Sequence, residues 1–252
     1  MGIALKIASY FLIYSFLGWC LESIYKTWYT KKWVNSGFLY GPFCPIYGFG
    51  AIIMYLFLDD LSNKPIITFC MGFVVLSIWE YLVGILLEKI FHTKYWDYSE
   101  NKFNFQGRVC LLNSVFWGIL AVVFIDIVNP FVTSLLEQVN TETLLYVNIG
   151  LYIIVAVDVV VSIITTFSIT EKLKNVEELN NSIKEKIEEI KNKAINSEIS
   201  ESLQDAIDEL KDKRDAIVNK AYHNIIRIKR AFPTMKSEQI TNFLNEKTNK
   251  KQ

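Results

Sequence analysis

Long apolar runs alternate with short polar connections along the first 170 of the 252 residues. A helix needs about 20 apolar residues to cross the hydrocarbon core of a bilayer. The pattern therefore predicts an all-α fold, a polytopic membrane bundle of about five spans. The predicted spans cover residues 3–25, 45–58, 66–87, 109–128 and 144–169.

The second run, residues 45–58, is short for a membrane-spanning helix. It could be tilted, could extend backwards through Phe43, or could be partly re-entrant. We favour a full crossing, and the re-entrant arrangement stays open.

The pattern changes after residue 170, where apolar residues recur mostly every third or fourth position. This spacing is typical of an amphipathic helix with a narrow apolar seam. It divides the chain into a membrane domain, residues 1–170, and a helical tail, residues 171–252. A break near Asn196 and Ser197 predicts two tail helices, which form a hairpin or a coiled coil with a second copy or another partner.

The charge distribution agrees with this division. The formal net charge is zero, with 26 basic and 26 acidic residues. The first 170 residues hold only 9 Lys/Arg and 11 Asp/Glu, whereas the last 82 hold 17 and 15. The first part therefore suits lipid and the second suits water.

Basic residues are concentrated in every second connection between the predicted spans. Those after the first and third spans are rich in Lys, and those after the second and fourth are poor in it. Because basic connections stay in the cytoplasm, we expect a multi-pass protein of the cell (inner) membrane with its N-terminus outside and its tail in the cytoplasm. The basic residues of the two rich connections are Lys26, Lys31, Lys32, Lys89, Lys94, Lys102 and Arg108.

Spans 1–2 resemble spans 3–4 at an offset of 66 residues, with 9 identities in 27 positions. This favours a parallel repeat of two hairpins, and the alternative is chance similarity in a chain of biased composition. The identical pairs are Gly18/Gly84, Leu21/Leu87, Glu22/Glu88, Ile24/Ile90, Thr27/Thr93, Tyr29/Tyr95, Asn35/Asn101, Gly41/Gly107 and Cys44/Cys110.

The connection between the first two spans is rich in Gly and Pro and cannot form a regular helix. Pro removes amide donors and Gly permits positive φ. Irregular backbone at membrane depth is tolerated only where protein or a water-filled cavity satisfies it. Two interpretations are open: a re-entrant or cavity-lining segment, and a compact interfacial turn that seals the bundle. The residues of this candidate loop are Asn35, Gly37, Gly41, Pro42, Pro45, Tyr47 and Gly48.

Ionisable side chains inside the spans are the other candidate site, because each costs at least ~2.5–3.5 kcal/mol at a helix centre. Glu80 lies in the middle of the third span and Asp158 in the middle of the fifth. Glu22 and Glu88 lie near span ends, and Arg108 is the natural partner of either. These groups either hold the bundle together or line a substrate, ion or proton path, with Glu80 and Asp158 deepest.

No common catalytic or metal-binding motif is present in the sequence. The phosphate loop G-x-x-x-x-G-K-[ST] is missing, so these residues do not hydrolyse ATP by a P-loop mechanism. The two His and four Cys lack metal-ligand spacing. We expect no catalytic residue, metal, cofactor or nucleic-acid partner. The least favoured hypothesis is a membrane enzyme with Glu80 or Glu22 as an acid or base.

Several short motifs together resemble a known family over roughly residues 10–165. They are Gly18-Trp19-x-x-Glu22, Trp79-Glu80, Trp96-Asp97-Tyr98-Ser99, Asn104-x-x-Gly107-Arg108 and, most specific, the run from Asn35 to Gly48. They look like the putative ABC-transporter type IV membrane proteins of bacteria. The resemblance implies a multi-span permease component, which needs a separate ATPase subunit. The alternative is a membrane scaffold or sensor that binds a partner through its tail.

The predicted orientation can be tested with reporters whose activity depends on the side of the membrane. A reporter fused after Lys64 should report the outer side, and one fused after Lys94 the cytoplasm, because Lys-rich connections are retained inside. A fusion at residue 171 is the internal control and should also report the cytoplasm. The reverse pattern would overturn the topology.

Overall fold

Helices make up most of the computed structural model, which describes residues 2–192, 197–237 and 240. The prediction of an all-α membrane bundle is confirmed. Four helices of the described residues are long and apolar enough to cross a membrane: Ile3–Thr30, Pro65–Phe91, Leu111–Glu137 and Thr141–Glu189.

The described elements follow one another in a simple order. They are α1 (Ile3–Thr30), α2 (Pro45–Leu58), a 3-10 turn (Asp59–Leu61), α3 (Pro65–Phe91), β1 (Asn104–Phe105), β2 (Val109–Cys110), α4 (Leu111–Val123), a π-helical turn (Phe124–Val128), α5 (Asn129–Glu137), α6 (Thr141–Asn192) and α7 (Ser197–Ala231).

Helix α2 has the predicted bounds but only 14 residues. At 1.5 Å per residue it is about 21 Å long, which is less than the roughly 30 Å of the hydrocarbon core. It begins at Pro45. Proline suits the first helical turn because the amides of that turn have no acceptor within the helix, so the missing N–H of proline breaks no hydrogen bond. A full crossing by the second segment stays a prediction and requires backbone outside α2.

The fourth predicted span differs from the structure at both ends. Val109 and Cys110 pair with a preceding strand in a two-stranded antiparallel hairpin, so α4 starts two residues later than predicted. At the other end the helix continues through the π-helical turn into α5. Pro130 interrupts the normal hydrogen-bond ladder, and the wider turn accommodates this, with the Asn129 amide bonded to the carbonyl of Phe124.

The first of two compact units comprises Met1–Ser162 and Arg230–Met235. Its part before residue 163 is called the membrane unit here. In it, α1 packs on α2 and α3 packs on α4, as two hairpins. One buried apolar cluster draws on both hairpins, the π-helical turn, α5 and the start of α6. Its members are Tyr10, Tyr14, Ala51, Met54, Leu58, Leu76, Ala121, Phe124, Ile125, Val132, Leu136 and Leu144.

The two hairpins share features that support the predicted repeat. Their second helices begin at Pro45 and Leu111, which are 66 residues apart, the offset of the sequence match. Each follows a buried cysteine, Cys44 or Cys110, at the N-cap position. The repeat stays a prediction, now with matching helix starts.

The second unit comprises Ile163–Lys229 and Lys236–Gln252. In its described part, the end of α6 and most of α7 form a helical hairpin, in which Arg214 donates to the side chain of Asn180 at 3.3 Å. The predicted domain boundary at residue 170 falls inside α6. Of the predicted break, Asn196 lies outside the described residues and Ser197 begins α7. A coiled coil with another copy stays a prediction.

Gly48 lets α2 approach α1 closely, which gives a direct test of the first hairpin. A Cβ atom at Gly48 would lie 2.7 Å from the carbonyl oxygen of Phe11 and would also meet Ser15, whereas one at Gly150 on α6 would meet nothing within 4 Å. We expect Gly48→Ala to lower stability by about 1–3 kcal/mol through overpacking.

The matched control, Gly150→Ala, should leave stability unchanged or raise it slightly, because Ala favours helix. Thermal unfolding in a mild detergent measures both variants. An unaltered melting temperature for Gly48→Ala would contradict the close packing of α2 on α1.

Candidate functional site

The connection before α2 folds back along α1, and residues 34–44 are called the broken segment here. The Ser36 amide donates to the Ser23 hydroxyl at 3.1 Å, and the Cys44 amide donates to the Ser15 carbonyl at 2.9 Å. Ser23 and Ser15 are about 12 Å apart along a helix axis. The segment therefore descends from the last turns of α1 to its middle.

Helix α2 consequently begins level with the middle of its neighbours. The indole of Trp79, near the middle of α3, donates to the carbonyl of Ile46 at 3.1 Å. The second predicted crossing therefore has two parts: irregular backbone runs beside one half of α1, and α2 runs beside the other half. Both interpretations of the Gly/Pro run, a re-entrant or cavity-lining segment and a compact interfacial turn that seals the bundle, stay predictions.

Asp158 of α6 holds the middle of the broken segment. Its carboxylate accepts the amides of Tyr40 at 2.9 Å and Gly41 at 2.7 Å, and the Ser162 hydroxyl at 3.2 Å. Backbone amides inside a membrane need such partners, and a carboxylate acceptor strengthens the bonds. A Cβ atom at Gly41 would lie 2.8 Å from Asp158 Oδ2, so this close approach requires glycine.

Asn35 links the start of the broken segment to α1 and to Tyr40. Its side-chain amide donates to the Tyr40 carbonyl at 2.7 Å, and its side-chain oxygen accepts the Trp19 indole at 2.6 Å. Gly37 has a φ of +92°, a conformation that favours glycine, and its α-carbon faces the Cys44 thiol. The Asn and Gly of the motif therefore shape the segment directly.

The remaining loop residues lie at the junction with α2. Pro42 is exposed, whereas Pro45 opens the helix. The Tyr47 ring packs against Gly18 of α1 and lies 5.9 Å from the Trp117 ring of α4. Together with Gly48, these residues join the broken segment to both hairpins.

Glu80 is the most enclosed acid of the spans, with 4% of its surface exposed. One carboxylate oxygen accepts the hydroxyl of Tyr98 at 3.1 Å and the amide of Asn113 at 2.7 Å, and the other accepts the indole of Trp117 at 3.0 Å. None of the ion pairs in the described part of the chain includes Glu80. Its acceptors are satisfied by three neutral donors from α4 and the connection before it.

The acids near the span ends form ion pairs. Arg108 binds Glu88 through two nitrogens, at 2.7 and 3.1 Å from the same oxygen, so Glu88 is its partner among the two that were predicted. Glu22 instead binds Lys26 at 2.6 Å, and the Cys44 thiol donates to Glu22 at 3.7 Å. The first hairpin thereby links an ion pair to the broken segment.

The candidate residues form separate clusters. Asp158 binds the broken segment, Glu80 joins α3 to α4, and no hydrogen bond among the described residues connects the two acids. A path lined by both acids stays a prediction. Among these residues, no three His, Cys, Asp or Glu side chains are arranged to hold a metal ion.

Three donors around Glu80 were not assigned a role from the sequence. Asn113 and Trp117 are four residues apart on α4, so they lie on one face. Two side chains with N–H donors, four residues apart in an apolar run, were the sequence signal that could have indicated a buried acceptor facing α4. Tyr98 comes from a long connection, and nothing in the sequence places its hydroxyl near Glu80.

These features define a polytopic helical membrane protein in which irregular backbone runs beside the middle of α1 before α2 begins. The chain belongs to the family described as putative ABC-transporter type IV, which it matches over residues 9–163. This range covers nearly all of the membrane unit before the tail, and it confirms the resemblance of the motifs. No curated protein and no solved structure matches the chain.

Replacement of Asp158 tests whether it stabilises the broken segment. Asp158→Leu leaves the amides of Tyr40 and Gly41 without their acceptor, at about 1–3 kcal/mol for each unsatisfied group. We expect a clear drop in the thermal unfolding temperature in detergent. Asp158→Asn keeps one acceptor oxygen and should fall between this variant and the wild type.

Glu142→Gln at the exposed start of α6 is the control and should unfold like the wild type. Wild-type stability of Asp158→Leu would show that the broken segment does not depend on this carboxylate.

Proposed function

We propose that this chain is the permease-like membrane subunit of an ABC-type transporter and that it works with a separate ATPase chain. In this proposal it performs no catalysis of its own. It lies in the cell (inner) membrane, with the N-terminus outside and the tail in the cytoplasm. The family membership and the apolar helices support a transporter-like membrane protein.

The observation that carries the proposal is the irregular backbone beside the middle of α1. Discontinuous helices at mid-depth are where many transporters build their substrate sites, because freed backbone groups can bind a ligand there. The hydrogen bonds that the amides of Tyr40 and Gly41 donate to Asp158 hold such a break in place. A scaffold protein needs no break of this kind.

The same proposal gives roles to the clustered acids. Asp158 and Glu80 are the deepest groups on the proposed substrate or ion route. Glu22, Glu88 and Arg108 lie toward the end where the Lys-rich connections are, and they would line its mouth. Their present hydrogen bonds and ion pairs would have to open for a substrate to pass.

The alternative function is a membrane scaffold or sensor that binds a partner through the tail. The helical hairpin of the second unit favours it, since α7 has many charged, exposed positions that could contact a protein. A second copy of the chain is another candidate partner of this hairpin.

Affinity purification of the full chain in a mild detergent tests the permease proposal. We expect a P-loop ATPase to co-purify in a fixed ratio, because these residues lack the phosphate loop. The isolated complex should hydrolyse ATP. Absence of any ATPase, even after cross-linking in native membranes, would contradict the proposal.

Deletion of residues 171–252 separates the two functions. A permease subunit that contacts its ATPase through the membrane unit should still co-purify with it. Loss of every partner, while the remaining spans insert normally, would favour the scaffold or sensor.

A further inference from the structure

Residues that follow the long tail return to the membrane unit, and Arg230–Met235 are called the return segment here. They belong to the first compact unit, although Ile163–Lys229 of the second unit precede them in the chain. Ala231 is fully buried and Met235 is 5% exposed. The segment is therefore bound to the membrane unit and is not a free end of the tail.

Lys26 near the end of α1 makes the main polar contact with the return segment. Its ammonium group donates to the carbonyl of Ala231, the last residue of α7, and lies 5.2 Å from the centre of the Phe232 ring. The last carbonyls of a helix have no partner within it, and a cation is favourable at that end. Lys26 therefore caps α7 and binds the face of an aromatic ring.

The connection after α3 supplies the other side of the contact. The Phe232 ring packs edge-on against the Tyr95 ring, with 4.9 Å between centroids. The Asp97 amide donates to the Thr234 hydroxyl at 3.4 Å. The return segment thus bridges the end of the first hairpin and the connection of the second.

The contact is linked to the broken segment through side chains. The Lys26 ammonium that binds Ala231 also binds Glu22 at 2.6 Å, and Glu22 accepts the thiol of Cys44 at 3.7 Å. Cys44 is 2% exposed and immediately precedes α2. Loss of the return segment would expose Lys26 to solvent. This would weaken the ion pair between Lys26 and Glu22, the residue that accepts the Cys44 thiol.

We propose that the return segment is a releasable latch that closes access to the Glu22–Cys44 contact from the Lys-rich end of the membrane unit. Residues 232–235 are not part of a helix, and a short irregular segment can open locally while the rest of the unit stays folded. The latch regulates the proposed transport route, and this regulatory role rests on the proposed function. Its test requires neither transport nor an ATPase, so the two proposals can fail separately.

The test measures how fast a membrane-permeant maleimide labels each native cysteine in full-length protein in native membranes, with mass spectrometry resolving the four thiols. Phe232→Ala removes the ring that contacts Tyr95 and Lys26. We expect Cys44 labelling to accelerate about tenfold, because opening now costs less. Phe232→Tyr keeps the ring and should label like the wild type.

Cys110 is the internal control, because it is equally buried at the matching position of the second hairpin. Phe131→Ala, at an exposed ring, is the control for loss of a Phe side chain. Unchanged labelling of Cys44 in Phe232→Ala would overturn the latch and leave only a structural anchor. Equal acceleration of Cys44 and Cys110 would also overturn it, because this would indicate general loosening of the unit.

Discussion

The membrane unit depends on one constraint: peptide groups that leave a helix inside a bilayer must find partners within the protein. Residues 34–44 leave helical geometry beside α1, down to its middle. Their amides are accepted by the Ser23 hydroxyl, the Ser15 carbonyl and the Asp158 carboxylate. An acid in the middle of an apolar helix therefore has a definite role, because Asp158 accepts hydrogen bonds from two amides of the broken segment.

The same constraint explains why the fifth span is part of the bundle. Helix α6 contacts the first hairpin through hydrogen bonds in addition to apolar packing: Asn148 donates to Ser9 at 2.8 Å, Tyr152 donates to the Ala8 carbonyl at 3.0 Å, and Asp158 holds the broken segment. Hydrogen bonds suit this task, since apolar surface gains little by leaving lipid for protein. Glu80 acts similarly in the second hairpin, where it joins α3 to α4.

The sequence predicted helices better than it predicted contacts. Pro45 and Leu58 bound α2 as expected, because Pro opens a helix and the apolar run ends at two Asp residues. The partner of Asp158 could not be predicted, because it is backbone more than 110 residues away and amides carry no sequence signature. Ion pairs were easier, and Arg108 binds one of its two expected partners. The helix that carries the fifth predicted span continues beyond residue 169, because its apolar run passes into an amphipathic pattern without any residue that stops a helix.

The extent of the family match divides the chain into two parts. It ends at residue 163, so the broken segment and its Asp158 acceptor lie inside it, whereas Arg230–Met235 lie outside it. The broken segment therefore lies in the part of the chain that the family match covers, and the contact of Lys26 with Ala231 depends on a tail outside that part. Because Lys26 also binds Glu22, a contact from outside the family region acts on a residue inside it. Such an arrangement suits control of a common membrane unit by an added segment, since the control can change without rebuilding the buried hydrogen bonds.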